Sequence, residues 1–220
     1  MNEDILIDRL KAAGNITEAA RMAGYHKVKR IYLGVRVPVI TGLAREYWKE
    51  SGGEGLISCC RMLWQTDIHE ARILTGKLFD ARKLTETGEV WQFINTVKED
   101  FDAWAIADHL EKGAQQCLRA DTGRLDKIER EWIAHPNFWV RRGALVYTLY
   151  LAKKGRDPER PLGWAATMVD DRQWFIQKAI GWWLRELSKH NPARVKAFLQ
   201  AYSSRMKPFA CREAAKYLSK

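Results

Sequence analysis

The chain has 220 residues, 46% of them apolar and 29% charged, a balance that excludes a disordered chain and leaves enough length for one sizeable core. Its formal net charge of +10 favours a polyanionic partner, nucleic acid ahead of an anionic membrane or an acidic protein. The opening MNEDILIDRLKAAG starts acidic and lacks the apolar centre of a signal peptide, and no stretch approaches a membrane span, so a cytoplasmic protein is expected.

The apolar spacing predicts helix after helix. Residues 3–13 carry Ile5, Leu6, Leu10 and Ala13 on one stripe. Residues 16–23 form a second helix closed by Gly24. A third starts at Pro38 and reaches about Lys49, with Pro in its first turn. Further helices are predicted over 55–64, 68–82, 88–97, and 102–118 with Asp102 as its cap. The second half continues with 124–134, 138–153, 161–169, 172–189, 192–201 and 208–218. No run alternates as a half-buried strand does. Cys59 and Cys60 are adjacent and Cys117 and Cys211 stand alone, without ligand spacing, so reduced thiols and no metal site are expected.

An internal echo appears at an offset of 36 residues. Phe138, Trp139, Val140 and Arg142 lie over Trp174, Phe175, Ile176 and Lys178. Weaker copies start at Thr66 and Lys207. Helix pairs at this period predict an all-α, HEAT-like repeat solenoid, an α-α superhelix in which stacked pairs bury stripes that one pair cannot. A single repeat domain over 1–220 is expected, with a concave basic groove. Lys27, Lys29, Arg30 and Arg36 form one basic group; Arg141, Arg142, Lys153 and Lys154 form another; Lys178, Arg185 and Lys189 belong to a third. In register, Arg142 and Lys178 would share one face, as a phosphate-tracking groove requires. Trp182 and Trp183 are neighbours about 100° apart on a helix, so one indole should pack inward and one outward.

Four stretches together resemble a known family. WFIQKAIGWWLRELSKHNP (174–192), NFWVRRGALV (137–146), DAWAIADHL (102–110) and YLGVRVP (32–38) are similar to the AlkD-like DNA alkylation repair family in order and spacing. The resemblance implies an alkylpurine DNA glycosylase that hydrolyses the N-glycosidic bond of purines alkylated at N3 or N7 in double-stranded DNA. It implies a bacterial, nucleoid-associated monomer without cofactor or metal. The family's catalytic Asp matches Asp108. Its active-site Trp residues match Trp104 and Trp182, and its groove Tyr matches Tyr25. Arg142 matches its phosphate-contacting Arg, and Arg185 a further basic position. Lys178, Lys27 and Lys153 complete the expected DNA contacts. Two positions depart from the pattern: Ala105 replaces the first Asp of the W-D-x-x-D motif, and Tyr150 replaces a basic residue.

These residue types suit the chemistry. Trp104 and Asp108 are four apart and share a helix face. A carboxylate beside the sugar stabilises an oxocarbenium-like transition state and orients water. Indole faces add cation–π attraction of about 1–2 kcal/mol. The five histidines, His26, His69, His109, His135 and His190, form no metal or triad pattern and read as incidental, with His109 beside Asp108 the one to test. The competing functions are a non-catalytic HEAT-like protein that binds damaged or branched DNA, and a scaffold whose basic groove takes an acidic peptide. Tyr25, Trp104, Asp108, Arg142 and Trp182 together favour the enzyme.

Overall fold

The structure, a computed structural model, describes residues 2–218. Among the described residues it is all helical. No strand forms, and Ile31 meets Ile68 in an isolated parallel bridge. This is the all-α helical-repeat architecture the periodicity predicts. No described helix is long and apolar enough to cross a membrane. The chain divides into two compact units after Asp121.

The N-terminal unit contains α1 (Glu3–Ala12), α2 (Ile16–His26), α3 (Val37–Ser51), α4 (Leu56–Gln65), α5 (His69–Asp80), α6 (Thr87–Val97), α7 (Trp104–Ala107) and α8 (Glu111–Ala120). The centre is α5, against which α3, α4 and α8 pack. Its sequence explains that place. His69, Glu70, Ala71, Ile73, Leu74, Thr75, Gly76, Leu78 and Phe79 are all buried, so no broad polar face remains to turn outward. Burial of Glu70 needs compensation, and it receives three backbone amides. Leu33 N–H donates to Oε2 at 3.0 Å, and Gly34 and Val35 donate to Oε1 at 2.7 and 3.2 Å. The carboxylate thereby ties the α2–α3 loop to the first turn of α5, where it also complements the helix dipole. The loop can close on it only because position 34 is glycine. Gly34 has φ +78°, and a Cβ there would collide with the backbone of Asn15 and Ala19.

Predicted boundaries and a cap shift in this unit. α2 runs through Gly24 and ends at His26, because Lys27 takes the left-handed conformation (φ 55°) and its N–H caps Ala23. The helix predicted over 102–118 is broken into α7, a tight 3₁₀ turn at Asp108–Leu110, and α8. Asp102 does not cap α7. Ala103 holds the cap position, while the Asp102 carboxylate accepts from Arg30 at 2.5 Å, a charge-assisted bond that outcompetes a capping amide.

The C-terminal unit contains α9 (Arg124–Lys127), α10 (Phe138–Val146), α11 (Glu159–Thr167), α12 (Trp174–Ser188), α13 (Pro192–Tyr202) and α14 (Pro208–Ala214). The helix predicted over 138–153 stops at Val146, where the Thr148 hydroxyl donates back to the Ala144 and Leu145 carbonyls, and a 3₁₀ turn follows at Leu149–Ala152. α12 packs between α10 and α14. The echoed aromatics meet here: Phe138 stacks with Phe175, and Trp174 with Phe209. Ion pairs also follow the period. Arg160 donates to Asp126 across 34 residues, and Arg194 to Glu159 across 35.

The Glu70 contact carries a stability prediction. Glu70→Ala strands three buried amides and is expected to lower unfolding free energy by about 3–5 kcal/mol in urea titration. Glu70→Gln, which keeps one carbonyl acceptor, should lose less. Equal losses would show that the carboxylate's bonds do not hold the loop.

Candidate active site

The N-terminal unit gathers five rings from four segments. The last turn of α2 carries Tyr25 and His26, the loop carries Tyr32, α5 opens on His69, and α7 opens on Trp104. His26 is central. Its ring centroid lies 5.0 Å from Tyr25, 5.8 Å from Trp104, 4.6 Å from His69 and 6.2 Å from Tyr32. Tyr25 meets Trp104 edge to face at 6.5 Å. Tyr25 is 63% exposed and Trp104 half-buried, whereas His69 is 2% exposed. The cluster therefore has a wet side of Tyr25 and Trp104 and a buried floor of His69. Two non-glycine residues with positive φ shape it: Lys27 directly after His26, and Asp67 (φ 53°) two residues before His69. The bridge between Ile31 and Ile68 holds these turns together, with His69 N–H donating to the Ile31 carbonyl at 2.8 Å.

Charge is concentrated beside the rings. The Arg30 side chain is 1% exposed, donates to Asp102, and lies 3.4 Å from Asp67. Asp67 also pairs with Arg72 at 3.1 Å. A cleft of about 380 Å³ opens there, lined by Lys29, Arg30, Asp67, Arg72, Asp100 and Asp102. Burial first, then the neighbouring imidazole of His26, the Arg30 charge, His109 and Arg72, push His69 down from 6.5 to about 3. Burial and then the Arg30 charge hold His26 below the usual imidazole range, against weaker pulls from Asp102 and Glu70. Both imidazoles are therefore neutral at neutral pH.

Asp108 sits at the end of α7, half-buried, on the tight turn that follows it. Its amide closes the helical turn on the Trp104 carbonyl, which keeps the two side chains on one face as the spacing predicts. α5 supports this turn at close range: a Cβ on Gly76 would collide with the His109 carbonyl. His109 faces inward. Its Nδ1 donates to the Ala105 carbonyl at 2.6 Å, and burial holds its imidazole below the usual range. Burial pushes the Glu111 carboxyl up; Lys112 opposes this, and the Asp108 charge adds to the upward shift. Ala105 is buried, so the expected first Asp of the motif is replaced at a packing position.

In the C-terminal unit, Lys178, Trp182 and Arg185 share one face of α12 by spacing. Trp182 is half-buried and Trp183 fully buried, the split expected for adjacent indoles. Lys178 lies 3.7 Å from Glu213, which also accepts from Arg185. Lys153 donates to Glu186 at 3.1 Å, and Lys189 donates to the same carboxylate. Four cations thus surround two carboxylates, leaving an excess of positive charge. Burial pushes Glu186 up, but bonds from Lys189 and Lys153 outweigh it and hold the carboxyl low. Arg142 is placed differently from its repeat partner Lys178. It is 5% exposed, donates to the Phe175 carbonyl at 2.9 Å, and sits 5.9 Å from that ring. Positional equivalence in the repeat therefore does not bring Arg142 and Lys178 onto one solvent-facing surface. Tyr150 is also buried. In the N-terminal unit, Lys27 is exposed at the α2 cap.

The histidines His26 and His69 correct the sequence reading, which treated them as incidental. Their contact joins residues 43 positions apart, and no local spacing announces it. The available sequence signal was the run of small and apolar residues from Ala71 to Phe79, which buries most of α5.

A family model described as DNA alkylation repair enzyme matches residues 6–218. A solved structure described as a predicted DNA alkylation repair enzyme from Enterococcus faecalis is similar with a TM-score of 0.76 and 28% identity, over 94% of this chain and 97% of that one. No curated protein matches the chain in sequence.

The buried imidazole makes stability depend on pH. His69 takes up its proton at 6.5 when unfolded and at about 3 when folded, so between these values the unfolded state binds more protons. Its contribution is full at neutral pH and is lost as pH falls through this window. The melting temperature of wild type is expected to fall more steeply than that of His69→Phe between about pH 7 and about pH 4.5, measured by circular dichroism. Parallel profiles would contradict the placement.

Proposed function

The chain belongs to the DNA alkylation repair enzyme family, and on that premise we propose that it is a DNA glycosylase releasing N3- or N7-alkylated purines from double-stranded DNA. The observation that carries the reading is the pairing of the half-buried Asp108 with Trp104 on one helix face, with Trp104 in ring contact with Tyr25. The reading makes the two units work as one repeat domain. It makes the protein a monomer of the bacterial cytoplasm, associated with the nucleoid and serving base excision repair.

An alkylated purine carries positive charge, and the base departs neutral when its bond to C1′ breaks. Positive charge then develops on the sugar. Asp108 acts as the fixed anion that stabilises it, and as the acceptor that orients the attacking water and takes its proton as oxygen bonds to C1′. Tyr25 and Trp104 offer ring faces to the cationic nucleoside, an attraction of about 1–2 kcal/mol per desolvated indole. The leaving group needs no proton, so one carboxylate suffices. Trp182 serves the sugar in the same way. Lys153, Lys178, Arg185 and Lys27 supply positive charge for phosphates. Arg142, tied to Phe175, acts on DNA through the helix end it steadies.

The test is release of free base from a duplex carrying 7-methylguanine. Wild type is expected to release it, and Asp108→Asn to be slower by about a hundredfold or more while duplex affinity changes little. Absence of release by wild type rejects the glycosylase; binding of damaged duplex without release would instead mark a non-catalytic binder. Unchanged release by Asp108→Asn rejects the residue. Affinity for duplex should also fall steeply and linearly in log–log form with added salt, and a flat response would argue against phosphate contacts.

A further inference from the structure

The mechanism above uses Tyr25, Trp104 and Asp108 and leaves His26 without a task. Yet His26 links the wet rings to the buried floor, touching both Tyr25 and Trp104 on one side and His69 on the other. Any charge on it is felt on the face where a cationic nucleoside would dock. We propose that His26 is a specificity-determining residue of that face: its neutral imidazole, in contact with Tyr25 and Trp104, admits a cationic planar ring, and an imidazolium in the same place turns that ring away. This rests on the alkylpurine reading above, since only a cationic lesion is discriminated in this manner.

On balance the surroundings favour the neutral form, burial and Arg30 outweighing Asp102 and Glu70. On α2 itself the ring neighbour is the uncharged Tyr25. From the loop come Tyr32 and the buried guanidinium of Arg30. α5 supplies His69, itself held neutral, and Glu70, whose oxygens are occupied by the Leu33, Gly34 and Val35 amides. The segment before α7 supplies Asp102, whose carboxylate is turned to Arg30. Glu70 is thus fully engaged and Asp102 engaged through Oδ2, while the Arg30 charge opposes an imidazolium. Like charges at ring-contact distance repel strongly in a partly desolvated site, while salt screens those further away. A phenylalanine would keep the ring packing and remove the titration. A lysine would carry the charge at all working pH values.

The experiment measures binding, ahead of any base release, to a duplex with one 7-methylguanine and to the same duplex unmodified, at about pH 5.5 and about pH 7. Wild type is expected to prefer the lesion at the higher pH and to lose part of that preference at the lower one, as His26 begins to take up a proton. His26→Phe should keep its preference at both. His26→Lys should lack it at both, without loss of affinity for unmodified duplex. The proposal is overturned if His26→Phe follows the wild-type pH dependence, if His26→Lys retains the preference, or if wild type shows none. Should His26→Phe fail to fold by circular dichroism, His26→Gln takes its place, uncharged and of similar reach. Base release is read on the same wild-type mixtures. Its absence rejects the glycosylase, while the binding ratios still decide the part played by His26.

Discussion

Three backbone amides converging on the Glu70 carboxylate set the geometry of the N-terminal unit. A buried carboxylate with no partner would be untenable, and a loop of three consecutive inward-pointing amides would be almost as costly. Each solves the other's problem. The consequence is positional. The loop after α2 is drawn onto the start of α5, which places His26 and Tyr32 against His69. The same start of α5 leads to Gly76, on which the Asp108–Leu110 turn rests. Both the ring cluster and the carboxylate are therefore referenced to one buried helix.

Around this helix the unit keeps an uncommon balance of charge. Arg30 is almost wholly enclosed, and Asp67 and Asp102 answer it while Asp67 also answers Arg72. Breaking such a network by removing one partner is more damaging than its net contribution suggests, because the other charge stays buried. The imidazoles beside Arg30 respond by remaining neutral. On the proposed reading a docking cation gains from this: Tyr25 and Trp104 present π faces beside neutral imidazoles, and Asp108 follows one turn after Trp104.

The C-terminal unit uses another principle. Its helices repeat an aromatic start, and stacked rings join successive repeats from Phe138 through Phe175, and from Trp174 to Phe209. The basic residues of α12 are partly neutralised by Glu186 and Glu213, which orders long side chains without cancelling their excess. Ordered cations lose less conformational entropy when they meet phosphates than free ones would. These pairs are only partly buried, so their contribution to stability is small and their effect is chiefly to place the side chains.

Local periodicity alone determined most of the helices, the 36-residue echo and the split of Trp182 from Trp183, because side-chain direction on a helix is set by neighbours within a turn; the breaks after Ala107 and Val146 lay outside its reach. It also put Trp104 and Asp108 on one face, and the motifs that carry the family resemblance were legible in chain order. Tertiary structure decided what each polar residue does. Asp102 looked like a cap and became the partner of Arg30, 72 residues away. Arg142 looked like a groove residue and was drawn under Phe175, 33 residues on. His26 and His69 looked incidental and became the hub and floor of the ring cluster. Burial and ionic partnership depend on segments distant in sequence, and no spacing within a helix encodes them.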